Sequence, residues 1–256
     1  MKTKQDIVNN WLPRYTGVEL DGFGSYILLT NFNDYVYRFA QFHDVEVKGA
    51  EKAMPSAHSG DLSIINFGMG SANAATIMDL LTAIKPKATL FLGKCGGLKN
   101  KNKVGDWILP IAAIRGEGTS LDYLPKEIPA LPSFMLQRAV SSTIRDFGQD
   151  YWTGTVYTTN RRVWEHDERF KKYLRSTRCM AIDMETATIF IAGFANKIPT
   201  GAILLVTDQP MTPEGVKTIE SDKVVSTSFV DMHIKMGIGA MNELAIDGRS
   251  VKHLKF

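Results

Sequence analysis

The chain is poor in several features that would otherwise decide its class. Its 256 residues contain two cysteines, Cys95 and Cys179, with no Cys-x-x-Cys spacing, which excludes a secreted disulfide framework and a thiolate zinc site. The five histidines have no metal-ligand spacing. Net charge is small: 30 Lys and Arg against 27 Asp and Glu leave +3, too little and too evenly spread to steer nucleic acid or an anionic membrane surface. No apolar run approaches the roughly 18 residues of a membrane span, and Met1 to Pro13 lacks the apolar core of a signal peptide. Internal repeats and Gly/Ser linkers are also missing. A reduced, cytoplasmic compartment and one domain over residues 1–256 are expected, with any anionic partner held locally.

What is present is a competent core. With 44% hydrophobic residues, a chain of this length buries about three quarters of its unfolded surface. Strand-length apolar runs fall at Tyr26 to Thr30, Leu62 to Phe67, Ala88 to Leu92, Trp107 to Ile111, Thr153 to Tyr157, Cys179 to Met184 and Ala202 to Thr207. Several are apolar at consecutive positions, the pattern of strands covered on both faces. Helical patterns lie between and after them, near Tyr35 to Gln41, Ala72 to Ile84, Phe134 to Phe147, Glu168 to Arg175, Glu185 to Asn196 and Lys223 to Leu244. In the last, Val225, Phe229, Met232 and Met236 form the stripe of an amphipathic helix. The prolines of Gly116 to Ser133 forbid regular structure and predict an ordered loop. The expected fold class is α/β, a single-domain three-layer sandwich with a mixed central sheet flanked by helices.

Five segments carry chemistry-bearing residues. Gly68-Met69-Gly70-Ser71-Ala72 joins a strand to a helix, so its N–H groups face an anion or simply make a tight turn. It lacks the third glycine of a dinucleotide fingerprint and the acid that NAD binding requires. Gly93-Lys94-Cys95-Gly96-Gly97 follows another strand and reads as a glycine loop for a flat ligand. It is not a Walker loop, and a thiol activated by Lys94 competes with the plainer reading of Cys95 as a small packed residue. In Asp183-Met184-Glu185 both acids suit a helix start, yet a carboxylate at a strand's carboxyl end also accepts paired sugar hydroxyls. Asp208 ends a buried strand just before Pro210, where burial would let it keep a proton near neutral pH; the alternative is a turn residue. Tyr157 with Arg161 and Arg162 offers a stacking ring and guanidinium forks for phosphate, or a solvated pair.

In order and spacing, the glycine turn at 68–70, the Gly93 to Gly97 segment, Met184-Glu185 and Asp208 resemble the nucleoside phosphorylase and nucleosidase superfamily. Within it the resemblance is to the AMP nucleosidases, through Leu29-Thr30-Asn31-Phe32, Gly93-Lys94-Cys95-Gly96-Gly97-Leu98, Arg115-Gly116-Glu117-Gly118-Thr119, Val156 to Arg162 and Asp208-Gln209-Pro210-Met211. It runs from about Tyr26 to Phe256.

The resemblance implies hydrolysis of AMP to adenine and ribose 5-phosphate by a cofactor-free, metal-free homo-hexamer. Longer members carry a regulatory domain for which 256 residues leave no room. Phosphorylases of the group have an Arg where this chain has Phe91, a hydroxyl residue at Lys94, and a Gly-Asp-Pro-x-Arg turn replaced here by Thr30-Asn31-Phe32-Asn33-Asp34, with Arg38 farther on. A site for inorganic phosphate is therefore expected to be lost or rebuilt.

On this reading Asp208 protonates the purine and Glu185 holds the ribose hydroxyls over Met184. Tyr157 stacks on adenine beside the Cys95-Gly96 backbone. Gly70 and Thr119 complete the substrate pocket, and Lys94, Arg115, Arg161 and Arg162 are the cations available to the phosphate. Asp34 and Glu117 are candidates to activate water, neither preferred. The rivals are a purine nucleoside phosphorylase using inorganic phosphate and a nucleotide sensor without turnover.

Overall fold

The computed structural model describes residues 2–246; Met1 and residues 247–256, included in the expected domain and in the resemblance, lie outside the described residues. Eight strands, β1 (Tyr26–Thr30), β2 (Ser56–Ser59), β3 (Leu62–Asn66), β4 (Ala88–Gly97), β5 (Trp107–Gly116), β6 (Trp152–Thr159), β7 (Ala181–Asp183) and β8 (Thr200–Asp208), form a mixed sheet. Its order is β2-β3-β1-β4-β7-β6-β5-β8, and β8 also pairs in parallel with β4, so that half of the sheet curls back on itself.

Successive side chains of a strand point to opposite faces, and here both faces are covered. Ile27 and Leu29 of β1, Phe91 of β4 and Leu204 of β8 join one core with helices α1 (Lys4–Thr16), α3 (Ser71–Leu80) and α6 (Thr186–Ala195). Leu28, Leu90, Leu92, Ile203 and Leu205 join the other, with α2 (Asn33–His43), α4 (Phe134–Asp146), α7 (Ile219–Ser228) and α8 (Val230–Ile246). This is the expected three-layer sandwich. A smaller third cluster gathers Tyr157, Trp164, Cys179 and Ile182 beside α5 (Glu168–Thr177).

Three differences from the sequence reading bear on the site. Gly93 to Gly97 is not a loop but the second half of β4. A Cβ on Gly93 would fall 2.5 Å from the Phe91 ring and 2.8 Å from Leu204, so glycine there lets a crowded strand continue. The long C-terminal helix is two helices, α7 and α8; at the junction the Phe229 ring lies against Gly105, where a Cβ would meet it at 2.4 Å. Helix α1 was not expected because only Val8, Leu12 and Thr16 are buried on it; the Thr3–Asp6 capping box that starts it was the available signal.

Candidate active site

The carboxyl ends of β1, β6, β7 and β8, with the glycine-rich half of β4, surround an open cleft of about 120 Å³. β4 makes this possible. Its register against β8 shifts between Cys95 and Gly96, and Gly96 and Gly97 then pair antiparallel with Ile182 and Ala181 of β7. The bend delivers β7 and its acids to the floor beside Asp208.

Asp183 is buried and fully engaged. Its Oδ1 accepts from the Thr158 hydroxyl at 2.7 Å, and its Oδ2 from Thr186 N at 2.8 Å, the Thr186 hydroxyl at 2.5 Å and Glu185 N at 3.3 Å. Burial pushes its pKa up and these donors oppose the shift. Asp183 is thus the cap of α6, while Glu185 sits at the N-cap position rather than within the first turn. Glu185 is 2% exposed; its carboxyl accepts Gly70 N at 2.7 Å and Met184 N at 3.2 Å, and a hydrogen bond from the Asn31 side chain. Burial, then the charge of Asp183, raises its proton affinity. The Gly68–Gly70 turn therefore presents its N–H to a protein carboxyl, and Gly70 needs φ +92° to do so.

Asp208 is the counterpart at the end of β8. Its Oδ1 accepts from the Thr207 hydroxyl at 2.8 Å. Burial raises its pKa, with Thr207 and the more distant charges of Lys217 and Arg162 pulling back and Glu165 adding to the rise. Cys95 lies beneath, 3% exposed, and burial together with the charges of Asp183 and Asp208 pushes its thiol up. It is a packed residue, and the activated-thiolate alternative fails.

Lys94, Arg161, Arg162 and Lys217 line the cleft. The Lys94 ammonium rests 4.3 Å from the centre of the Phe32 ring and 3.5 Å from the Ser226 hydroxyl. Behind it His233 is buried between Ile203 O and the Tyr35 hydroxyl, at 3.0 and 2.9 Å. The carbonyl requires Nε2 to carry the proton, so Tyr35 donates to Nδ1. Burial lowers the His233 pKa to about 3, with Lys94 contributing; the imidazole is therefore neutral and sets no second positive charge near the lysine.

The cleft does not collect every predicted residue. Arg115 spends its guanidinium in five hydrogen bonds to its own loop: Ser120 Oγ and O, Leu124 O, Pro125 O and Ile128 O, at 2.5–2.9 Å. It staples the proline-rich segment and has no donor left for phosphate. Thr119 opens the short 3₁₀ turn of that loop, away from the cleft lining. Tyr157 is 7% exposed and packs edge-on to Phe170 and Tyr173 at 5.9 Å, so its ring is inside the third cluster and not on a base. Glu117 accepts Ser120 N and Oγ, and Asp34 pairs with Arg38 at 2.9 Å; neither reaches the cleft.

Sequence reasoning missed Asn31, Trp164, Glu165 and Lys217 as lining residues. Asn31 stood within a quoted segment and Trp164 and Glu165 lie just beyond Arg162, but nothing local told lining side chains from exposed neighbours. Lys217 lies beyond the Pro210 break, where no periodicity guides the eye. Among the described residues no group of three His, Cys, Asp or Glu is placed to hold a metal, and no helix is long and apolar enough to cross a membrane.

A cleft at the carboxyl edge of a self-closing mixed sheet, with a buried Glu beside one strand and an Asp ending the next, defines an α/β class that the family comparison identifies. Residues 29–233 match the phosphorylase superfamily model, and the chain belongs to the phosphorylase superfamily. Within it the likeness is to AMP nucleosidases: the crystal structure of the Bacteroides thetaiotaomicron AMP nucleosidase is 58% identical, with a TM-score of 0.86 over 96% of this chain and 100% of that one. AMP nucleosidase of Escherichia coli K12 is 28% identical over 93% of this chain, which spans 58% of that protein's length. A uridine phosphorylase from Vibrio fischeri, 19% identical, shares the fold with a TM-score of 0.78, covering 88% of this chain and 94% of its own.

Proposed function

We propose that the cleft hydrolyses the N-glycosidic bond of AMP, giving adenine and ribose 5-phosphate. The observation that carries the reading is the state of Asp208: a carboxyl at the strand end, with burial favouring its protonated form and one neighbouring hydroxyl bonded to it. Breaking the bond leaves electrons on the purine, and a carboxyl whose proton affinity is raised by burial can hand its proton to that leaving group; positioned acids contribute about 10²–10⁴ in rate.

Glu185, held by the Gly70 and Met184 N–H groups, has lone pairs left for the ribose 2′ and 3′ hydroxyls, with the Met184 side chain against the sugar. Trp164, next to Glu165, is an aromatic side chain that walls the cleft, which Tyr157 does not reach. Lys94, Arg161, Arg162 and Lys217 supply charge for the 5′-phosphate. The likeness to AMP nucleosidases supports the same substrate. Cytoplasmic residence and a homo-hexamer belong to the reading; the exposed apolar side chains Ile111, Leu131 and Phe134 support self-association, which sedimentation checks.

The test is incubation with AMP in phosphate-free buffer, with assay of adenine and ribose 5-phosphate. Both products are expected in equal amounts. No product from AMP, with ribose 1-phosphate formed from adenosine once phosphate is added, overturns the reading in favour of a phosphorylase; no turnover of either substrate leaves a sensor.

A further inference from the structure

Among the described residues the carboxylates that line the cleft are Glu165, Asp183, Glu185 and Asp208. Asp183 is spent as a helix cap, Glu185 serves the sugar and Asp208 the purine. Glu165 has no part in the reaction as described. It stands in the connection between β6 and α5, next to Trp164. Its Oε2 accepts Trp164 N at 2.9 Å, which ties the carboxylate to the local backbone, and its Oε1 lies 3.5 Å from Arg162 Nη1. These contacts leave lone pairs on both oxygens open, and the side chain is 18% exposed, so a molecule in the cleft reaches it.

Glu165 and Asp208 face the same space in opposite hydrogen-bonding roles. The charge of Glu165 is felt at Asp208 and strengthens that residue's hold on its proton. Asp208 Oδ1 already accepts the Thr207 hydroxyl at 2.8 Å, so its other oxygen is the one to carry a proton to a ligand. Together the two side chains offer the cleft one donor and one acceptor. Adenine presents the complement on a single edge, the N7 acceptor beside the 6-amino donor, whereas guanine carries the acceptor O6 where adenine has its amine; hypoxanthine does the same.

We propose that Glu165 accepts a hydrogen from the 6-amino group of adenine while Asp208 protonates N7, making Glu165 the residue that selects adenine over 6-oxopurines; the inference rests on the reading above, in which Asp208 serves the base. Protonation at N7 draws electrons from the amine and makes it a stronger donor. The bond to Glu165 therefore tightens as the base departs and raises kcat as well as affinity. A 6-oxo group in the same place sets its lone pairs against the carboxylate, and neither acceptor finds a hydrogen.

The experiment measures kcat/KM of wild type, Glu165→Ala and Glu165→Gln on three substrates in phosphate-free buffer: AMP, inosine 5′-monophosphate, and purine riboside 5′-phosphate, which has hydrogen in place of the amine. From wild type to Glu165→Ala, the ratio for AMP over purine riboside 5′-phosphate should fall at least about tenfold, the weight of a hydrogen bond to a charged acceptor. A smaller fall, with both substrates losing alike, makes Glu165 a merely structural or electrostatic neighbour and overturns the inference. Glu165→Gln keeps the shape and offers an N–H to O6, so the ratio for AMP over inosine 5′-monophosphate should fall at least about tenfold as well. Where Glu165→Ala does not fold, Glu165→Gln decides alone, and an unchanged ratio there overturns the inference. Wild type that releases no adenine from AMP but acts on adenosine with phosphate overturns the hydrolytic reading only, since the same ratios taken with the unphosphorylated nucleosides still test Glu165; no turnover of any of them overturns both.

Discussion

Asp183 and Asp208 end adjacent parts of one curled sheet, and burial raises the proton affinity of both. Their hydrogen bonds separate them. Asp183 accepts four donors and has no direction left in which to meet a ligand. Asp208 accepts the hydroxyl of its neighbour Thr207 on one oxygen. The same residue type in the same fold position is cement in one case and a candidate acid in the other, and what distinguishes them is unspent hydrogen-bonding capacity. Burial and pKa direction alone would have ranked them together.

The largest effect expected from breaking this contrast is on Asp208→Asn, which keeps the shape and removes the proton: AMP cleavage should fall by about 10²–10⁴ with nucleotide binding retained. A drop below about tenfold, measured by adenine release, would remove Asp208 from the mechanism. The pH dependence follows with a definite sign. Catalysis needs the protonated acid, so kcat is full below the raised Asp208 pKa and is lost as pH rises through it. The basic limb should therefore lie above the ordinary carboxylate value of about 4 and be absent from whatever activity Asp208→Asn retains. Stability obeys the same linkage: the folded state binds this proton more tightly than the unfolded one, so wild type loses stability as pH climbs from about 4 through the raised pKa. Over that window the Tm of Asp208→Asn should gain on wild type.

Asp183→Ala should behave oppositely. It strands the Thr158 and Thr186 hydroxyls and two backbone N–H groups in the core, a loss of roughly 2–4 kcal/mol readable as a lower denaturation midpoint. If Asp183→Ala were as stable as wild type, the division between cement and acid would fail.

This division also marks how far the sequence could be read. Consecutive apolar residues in β1, β4 and β8 announced a doubly covered sheet, and the residue types at 183–185 and 208 announced acids at its edge, because both signals are local. Which acid is free is not local: Thr158, from β6, engages Asp183 from 25 positions away. The same holds for Tyr157, whose strand position was legible but whose ring direction is set by Phe170 and Tyr173 of α5. Gly93 to Gly97 misled for a related reason. Glycine marks close approach, and Phe91, Leu204 and Pro210 crowd these glycines, so the segment is strand and not loop although Lys94, Cys95 and Gly96 do line the cleft.

Lys94 and Arg115 give the cationic version of the comparison and the smallest effects. Lys94 lines the cleft, and Lys94→Met should raise KM for AMP about tenfold while leaving adenosine binding nearly unchanged, since only the phosphate loses a partner. Arg115→Met removes five bonds to Ser120, Leu124, Pro125 and Ile128 but no cleft group. Its expected signature is faster proteolysis within residues 117–128, with KM for AMP within about twofold of wild type, because loosening an exposed loop costs local rather than global stability. A selective rise in KM for AMP over adenosine in Arg115→Met would mean that the guanidinium leaves its loop to reach phosphate, and that a fully bonded cation is not, after all, a spent one.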